Sequence, residues 1–321
     1  MKIITIIARL VVAVTFVFSG FVKLVDPLGS AYKFEEYFSS GVLNIEFLIP
    51  YALPFAILLI LAEIMLGVML LVGYLPKITV WSLVVIMLVF LFLTWYSAFY
   101  DKVTDCGCFG DAVKLTAWET FYKNVVLIVL VFVLLLRVKH IKPILSLTLV
   151  KWISFGSFLV FLYITYHVLV HLPLIDFRPF AIGKNIPEGM KHIGETPPPI
   201  HDFYLENLGG EEVTTEVLEA DKALLVIAYN LSKSDKQGFS AIKNVTDEAL
   251  NKNYVVYVLT SSMDEEYFEI QKEFNLKCEM LFCDETALKI IIRSNPGILM
   301  LEKGTVTGKW SWTDANEVFG N

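Results

Sequence analysis

The sequence predicts a helical membrane bundle followed by a water-soluble α/β domain. Of the 321 residues, 56% are hydrophobic and only 18% are charged, whereas a soluble protein carries about a quarter charged residues. The charges are also unevenly placed. Residues 1–180 hold 13 basic and 10 acidic side chains, and residues 181–321 hold 13 basic and 23 acidic ones. The first part is typical of a membrane protein and the second of an acidic soluble domain.

Five stretches are apolar over the roughly 20 residues that a membrane-spanning helix needs. They are residues 3–22, 47–73, 79–100, 119–138 and 149–171. A proline run at 196–199 is typical of a semi-rigid spacer between domains. The predicted organisation is a four-helix membrane bundle at 1–140, a fifth spanning helix at 141–175, a linker at 176–200 and a soluble domain at 201–321.

Charges beside the helices predict the orientation of the chain. With the N-terminus inside, seven Lys and Arg residues lie at cytoplasmic ends and five lie on the opposite side. We therefore predict a multi-pass protein of the cytoplasmic (inner) membrane with a periplasmic C-terminal domain. Its expected partners are the lipid bilayer and an extracytoplasmic protein. A nucleic-acid partner is excluded, because the chain has no basic stripe to neutralise phosphates.

The segment 23–46, between the first two stretches, has a helical pattern of its own. Apolar side chains recur at helical spacing from Ala31 to Phe38, with charged residues between them. The preceding sequence DPLG at 26–29 is typical of a turn. The pattern fits a short helix lying in the membrane interface. It fits a loop packed on the bundle equally well.

The most specific local motif is DCGCFGD at 105–111, in the outward loop after the third stretch. Residues two apart have Cα atoms about 5–7 Å apart, and a disulfide needs about 4.4–6.8 Å. Cys106 and Cys108 are thus able to pair, with Gly107 supplying backbone freedom. Such a small ring is strained and easily reduced. Two packed thiols, or metal ligands, are the alternative interpretations.

Cysteine reactivity depends on the thiolate, and the acidic residues of this motif oppose its formation. Lys102, Lys114 or a helix end would have to offset Asp105 and Asp111. Redox use of this loop therefore depends on such an offset.

At this motif the sequence resembles the MauE family, small four-helix membrane proteins associated with disulfide formation during methylamine dehydrogenase maturation. The sequence FSGFVKLVDP at 18–27 resembles the related DoxX family, which is linked to quinone and thiol redox chemistry. Together the resemblances cover about residues 1–140. They imply redox association of Cys106 and Cys108, with a quinone as the candidate cofactor. They do not imply methylamine as substrate, because a fifth span and a soluble domain are additions.

Two charged residues lie inside spanning stretches, where an unpaired charge costs at least about 2.5–3.5 kcal/mol. Glu63 and Arg9 lie 16 and 13 residues from the outer ends of their stretches. These are depths of about 24 Å and 20 Å at the helical rise. We predict that Arg9 and Glu63 form a structural pair, with a proton or quinone role for Glu63 as the alternative.

His167 and His171 are four residues apart on the last stretch and share a helix face. That spacing is compatible with a metal or haem, but the sequence shows no third ligand. We interpret both as interfacial side chains, and no metal site is predicted.

The pattern beyond residue 200 predicts an α/β layer domain. Strands are predicted at 203–205, 223–229, 254–260, 297–301 and 305–312, helices at 239–252 and 263–275, and a hairpin turn at 303–304. A further strand is expected near Cys278 and Cys283. We interpret these two cysteines as buried apolar residues, with a relocated active pair as the alternative.

This order of elements resembles thioredoxin-like domains of the TlpA and peroxiredoxin type. Pro296, just before the final hairpin, occupies the place of that family's cis-proline. Residues 233–236, after the first central strand, read KSDK where those enzymes carry Cys-x-x-Cys. The resemblance therefore implies a recognition module that lacks redox chemistry of its own.

Three functions remain open from the sequence. The leading hypothesis is a membrane thiol–disulfide oxidoreductase, in which Cys106 and Cys108 pass electrons from an extracytoplasmic protein thiol to a quinone-like carrier. The second is a non-enzymatic assembly or anchoring subunit whose thioredoxin-like domain binds a partner. The third, a quinol oxidase subunit, follows only from the DoxX resemblance and would need an electron acceptor or haem that the sequence does not display.

Overall fold

The computed structural model describes residues 2–102, 107, 109–113, 115–192 and 198–320. The chain divides into two compact units, Met1–Leu169 and Val170–Asn321. Each unit has its own hydrophobic core. The first is a helical bundle and the second is an α/β domain, as predicted.

The first unit is built from long helices. They are α1 (Lys2–Val25), α2 (Pro27–Phe38), α3 (Ala52–Val72), α4 (Pro76–Tyr100), α5 (Ala117–Leu136) and α6 (Leu147–Val170). Among the described residues, five helical segments are long and apolar enough to cross a membrane, namely all of these except α2. This confirms the predicted four-helix bundle with a fifth span. The second span includes a 3₁₀ turn, Glu46–Tyr51, ahead of α3.

Helices α1 and α3 approach each other closely through two glycines. A Cβ atom on Gly20 would lie 2.7 Å from Cβ of Ile64, and one on Gly67 would lie 2.8 Å from the backbone nitrogen of Val17. Small residues are what allows membrane helices to pack backbone against backbone. These contacts fix the register of α1 against α3, and they therefore determine which polar side chains meet between the two helices.

The segment after α1 forms the short helix α2, and one face of it is packed. The side chain of Asp26 caps the helix by accepting a hydrogen bond from the Gly29 nitrogen at 3.0 Å. Ala31, Tyr37 and Phe38 are buried. The DPLG sequence is thus a helix start, with Pro in the first turn where its missing N–H costs least. The segment is a helix, and it also packs on the bundle.

The second unit contains a mixed five-stranded sheet within the described residues. Its strands are β1 (Ala223–Ile227), β2 (Val255–Thr260), β3 (Glu279–Phe282), β4 (Gly297–Glu302) and β5 (Thr305–Ser311). The order is β3-β2-β1-β4-β5. The first three strands are parallel, and β4 and β5 are antiparallel to their neighbours. This confirms the predicted α/β domain and its final hairpin.

Helices cover both faces of this sheet. They are α7 (Ile186–Gly189), α8 (Thr214–Glu219), α9 (Lys236–Asn251), α10 (Asp264–Phe274) and α11 (Glu285–Ile291). All five residues of β1 are buried, and they alternate between two separate cores. A strand buried on both faces explains why the sequence there is continuously apolar.

The strand predicted at 203–205 is absent from the described structure. Instead, Glu206 makes single antiparallel bridges to Glu212 and Phe282. Phe203 and Leu205 are fully buried in one of the two cores. The alternation of apolar and polar residues here is typical of a strand, but the segment pairs with the sheet only through Glu206.

The predicted linker at 176–200 is wrong for its described residues, because these pack on the sheet domain. Phe180 and Ile186 are buried. The Gly183 nitrogen donates to the Val306 carbonyl and the Ile186 nitrogen to the Gly304 carbonyl, both at 2.8 Å. The segment thereby covers the open edge of the hairpin, which would otherwise present unpaired backbone groups.

A buried charge cluster fixes the start of this segment to β5. Asp176 accepts hydrogen bonds from Arg178 Nε at 2.7 Å and from Lys309 Nζ at 2.6 Å. The Arg178 and Lys309 side chains are each only 3% exposed. Burial alone would raise the pKa of Asp176, but the two positive charges hold it below its ordinary value. The carboxylate is therefore the counter-charge for Arg178 and also for Lys309, although burial lowers the pKa of Lys309 to about 7.

Replacing Asp176 with Asn is expected to lower the free energy of unfolding of the α/β unit by about 3–5 kcal/mol, because two buried cations lose their counter-charge. In the unsubstituted protein, the stabilisation that the Asp176 carboxylate provides is complete above the ordinary Asp pKa of about 3.9. It is lost as the pH falls through the lowered pKa of Asp176. Hydrogen exchange of β4 and β5 in the full-length protein in detergent measures both effects. Asp221→Asn, at an 87% exposed side chain paired with Lys303, is the matched control. Equal effects of the two substitutions would contradict the role of the cluster.

Candidate functional site

The two cysteines of the CGC motif, Cys106 and Cys108, lie outside the described residues. The residues described beside them form a tight turn. Gly107 and Gly110 both have positive φ, 63° and 49°. The Gly110 nitrogen donates to the Gly107 carbonyl at 3.1 Å. Residues with a side chain disfavour such φ values, which glycine adopts readily.

Phe109 packs the turn against the helical bundle. The ring of Phe109 lies 5.5 Å from that of Phe18 on α1. The ammonium group of Lys123, on α5, lies 4.2 Å from the centre of the Phe109 ring. A Cβ atom on Gly110 would lie 3.1 Å from Val22. Two helices from distant parts of the sequence therefore hold this turn in place.

A second lysine lies on the other side of the turn. A Cβ atom on Gly107 would lie 3.1 Å from Cγ of Lys33, on α2. Lys33 also forms an ion pair with Glu36 at 2.9 Å. Among the described residues, Lys33 and Lys123 thus lie beside the turn. The expected offset by Lys102, Lys114 or a helix end stays a prediction. Lys114 lies outside the described residues. Nearby positive charge favours the thiolate form of a cysteine.

Glu63 forms a buried ion pair with Lys23, and the predicted pairing with Arg9 is wrong. Lys23 Nζ lies 2.7 Å from Glu63 Oε2, and the two side chains are 7% and 2% exposed. Lys23 Nζ also donates to Ser19 Oγ at 3.0 Å. The pair satisfies a carboxylate that would otherwise be unpaired within the bundle.

Arg9 caps the end of α3 instead. Its guanidinium donates to the carbonyl oxygens of Leu70, Leu71 and Lys142 at 2.8, 3.0 and 3.0 Å. The depth argument failed for two reasons. Helix α1 continues to Val25, so that Lys23 remains in the bundle. The glycine contacts between α1 and α3 then bring Lys23 level with Glu63 and carry Arg9 to the far end of α3.

Beside this ion pair the bundle forms a half-open pocket, which we call the Lys23 pocket. Its cavity volume is about 60 Å³. It is lined by Lys23, Ser30, Lys33, Phe34, Tyr37, Ala56, Leu59, Ile60, Phe90, Leu93, Thr94 and Gly107. The lining is mostly apolar, with a few polar groups. Gly107, the residue between the two cysteines in sequence, forms part of its wall.

The histidines of the last span do not form a metal site with other described residues. His171 Nδ1 lies 2.6 Å from Asp314 Oδ1. His167 stacks on the Tyr163 ring at 6.2 Å. Within the described ranges, no group of three His, Cys, Asp or Glu side chains is placed to hold a metal ion.

In the α/β domain, polar residues occupy the place where the resemblance puts a Cys-x-x-Cys motif. The Asn295–Pro296 peptide bond is cis, at the position of the family's cis-proline. Ser234 Oγ donates to Asn295 Oδ1 at 2.9 Å, and Asn295 Nδ2 donates to the Asn230 carbonyl at 3.0 Å. The segment after β1 is thus tied to the proline loop by hydrogen bonds, and it offers no sulfur.

The other two cysteines are buried in different cores. Cys278 is 3% exposed and Cys283 is fully buried. They belong to two separate hydrophobic clusters of the domain. Burial raises the pKa of Cys278 to about 11 and that of Cys283 to about 12. Both are therefore thiols at neutral pH, which agrees with the interpretation as apolar core residues.

Comparisons with known proteins agree with this two-part description. The family model of the methylamine utilisation protein MauE matches residues 1–137, which hold α1 to α5 and less than half of the chain. The membrane unit is MauE-like. No curated protein matches the chain.

Two solved structures resemble the chain at low identity. A thiol:disulfide interchange protein from Bacteroides sp. is 12% identical, with a TM-score of 0.28 over 33% of this chain and 74% of that one. A thioredoxin-like protein from Bacteroides caccae is 15% identical, with a TM-score of 0.30 over 83% of this chain and 82% of that one. The domain is thioredoxin-like in its sheet order, β3-β2-β1-β4-β5.

Proposed function

We propose that this protein is a membrane thiol–disulfide relay. In this proposal Cys106 and Cys108 accept electrons from an extracytoplasmic protein thiol and pass them to a quinone-like carrier in the membrane. The observation that carries the proposal is the position of Gly107. It forms part of the wall of the Lys23 pocket and contacts Lys33, and its two neighbours in the chain are the cysteines.

The electron and proton balance of the relay is simple. A reduced partner dithiol exchanges with the Cys106–Cys108 disulfide, so that one S–S bond forms in the partner and one is reduced here. The two thiols then release two electrons and two protons as their disulfide reforms, and these convert one quinone into one quinol. Lys123, whose ammonium group lies 4.2 Å from the centre of the Phe109 ring, would support this chemistry by favouring the thiolate in a loop that also carries acidic residues. Lys33 is already paired with Glu36.

Topology supports a common side for the loop and the α/β domain. The loop follows the third span and the domain follows the fifth, so both would face the same compartment. With the N-terminus in the cytoplasm, as the flanking charges favour, that compartment is the periplasm of a bacterial inner-membrane protein. The thioredoxin-like domain, without a Cys-x-x-Cys motif, would then bind the partner protein in that compartment.

A second candidate function is a non-enzymatic anchoring subunit. The observation in its favour is the sequence KSDK at 233–236, in the place of the usual active-site cysteines. In that case the bundle would hold a partner complex, and Cys106 and Cys108 would be incidental.

Trapping of thiols in native membranes tests the relay against the anchor. A variant with Cys278→Ala and Cys283→Ala leaves only the CGC pair to react with a mass-tagged alkylating reagent. We expect no tag under oxidising conditions and two tags after mild reductant, because a strained disulfide is reduced easily. Two tags under every condition would contradict the relay and favour the anchoring subunit.

A further inference from the structure

Three exposed apolar side chains follow each other closely just after the last span. Leu174, Ile175 and Phe177 are 53%, 43% and 42% exposed. Asp176 and Arg178, next to them in the chain, belong instead to the charge cluster inside the domain. The other large apolar side chains that are exposed on the described part of the α/β unit are at least four residues apart, and such single exposed residues are normal. We call the group of three the 174–177 patch.

The distance along the chain places this patch near the membrane surface. Helix α6 ends at Val170, and Leu174 follows four residues later. Four residues span at most about 14 Å when the chain is fully extended. The polar headgroup region extends about 5–8 Å beyond the hydrocarbon core on each side of a bilayer. The patch therefore begins within reach of the lipid interface on the side where α6 ends.

Hydrogen bonds within the α/β unit fix the residues that leave the span. Val170 is the last residue of α6 and the first of this unit. Its carbonyl oxygen accepts hydrogen bonds from Ser311 Oγ at 3.0 Å and from Thr313 Oγ1 at 2.8 Å. The next residue, His171, has its Nδ1 atom 2.6 Å from Asp314 Oδ1. The chain between the span and the patch is thus attached to the folded domain, and it is not a free tether.

The charge of the domain favours the apolar part of the lipid interface as the partner of the patch. Residues 181–321 hold 13 basic and 23 acidic side chains, so anionic headgroups would not attract the domain. Exposed apolar side chains are stabilised when they leave water for the boundary of the acyl chains. Because the chain already joins the domain to a span, this docking is intramolecular, and a few apolar side chains are sufficient.

We propose that the 174–177 patch is a membrane-docking surface. The α/β domain inserts Leu174, Ile175 and Phe177 into the lipid interface on the side where α6 ends, and the bilayer itself is the partner. Docking keeps the domain at the membrane surface and restricts it to orientations in which the patch meets lipid. The inference does not depend on the relay, and it applies equally to an anchoring subunit.

Photolabelling from the lipid phase tests this surface in the full-length protein. The probe is a phosphatidylcholine with a diazirine on one acyl chain, in nanodiscs that hold one copy of the protein, and labelled peptides are mapped by mass spectrometry. We expect label on residues 174–177 as well as on the spans. Leu250 and Val255 should stay unlabelled, because they lie near the start of β2, at the end of the sheet farthest from Ser311. Added phosphatidylglycerol should change the labelling of the patch by less than about twofold, since apolar contact stabilises the docked state.

Two matched double variants measure what the patch contributes. Ile175→Ser with Phe177→Ser removes two of the apolar side chains and should lower the labelling of Leu174 about tenfold. Leu250→Ser with Val255→Ser is the control, because these side chains are 37% and 40% exposed on the same domain. The control should leave the labelling of Leu174 within about twofold.

The labelling map of the unsubstituted protein remains decisive if the patch variant fails to fold. Labelled spans with an unlabelled patch, and with Phe177 open to hydroxyl radicals, would leave the patch free for a partner protein and overturn the proposal. Protection of Phe177 only in nanodiscs that hold two copies would assign the patch to contact between copies and would also overturn it. Label that requires phosphatidylglycerol would contradict docking by apolar contact.

Discussion

Replacement of Cys106 or Cys108 by Ser is expected to reduce thiol oxidation roughly a hundredfold or more, because either change removes one of the two sulfurs between which the disulfide forms. Membrane vesicles that contain the protein and a short-chain quinone provide the assay, with the loss of free thiol from a reduced test peptide as the readout. The two single variants should be about equally inactive, since the relay needs both sulfurs.

The matched control for this prediction is the pair of buried cysteines. Cys278→Ala with Cys283→Ala should retain most of the activity, because burial raises the pKa of both groups and keeps them as thiols. A large loss in this control, with activity retained in the Cys106 and Cys108 variants, would move the redox chemistry into the α/β domain and contradict the account.

Replacement of Glu63 by Leu is expected to destabilise the bundle by about 3–5 kcal/mol, because Lys23 would remain buried without its carboxylate. The double variant Lys23→Leu, Glu63→Leu should be much less affected, since two apolar side chains of suitable volume can replace a buried ion pair. Thermal unfolding of the full-length protein in detergent, with the amount of folded protein as a second readout, measures the effect.

Arg9 provides the control for this second prediction. Arg9→Leu removes two hydrogen bonds to backbone carbonyls at the end of α3 and one to the Lys142 carbonyl, so it should also destabilise the bundle. Its effect should add to that of Glu63→Leu, whereas the effects of Lys23→Leu and Glu63→Leu should be strongly non-additive. Coupling of Glu63 to Arg9 instead of Lys23 would contradict the observed pairing.

The spanning helices could be predicted from the sequence because the length of an apolar stretch is enough to identify one. The partner of Glu63 could not be found by counting residues, since depth along separate helices ignores how the helices pack. The signal that was overlooked is the pair Gly20 and Gly67. Small residues in two neighbouring spans mark a close helix contact, and that contact sets the register that brings Lys23 to Glu63.

The surroundings of the cysteine motif were harder to predict. Lys33 and Lys123 lie far from the motif in sequence and reach it only through the packing of α2 and α5. The segment after the fifth span is a similar case. Its Pro and Gly residues are typical of a linker, but its backbone pairs with β5, more than a hundred residues later. Local composition contains no information about such pairings.

The α/β domain was predictable where a strand is buried on both faces, as β1 is. It was misinterpreted where burial alternates without sheet pairing, as at Phe203 and Leu205. Strand β3 is only four residues long and follows a buried cysteine, so its sequence gives a weak signal. The cis-proline position was identified through the resemblance to thioredoxin-like domains, and the peptide bond before Pro296 is cis.

The most direct test of the relay is the redox state of Cys106 and Cys108 in native membranes before and after quinone depletion. Thiols are trapped with a mass-tagged alkylating reagent in the variant that lacks Cys278 and Cys283. The account predicts that the pair is oxidised when quinone is present, becomes reduced when quinone is removed, and is oxidised again when a short-chain quinone is added back. A redox state that does not change with quinone would contradict it.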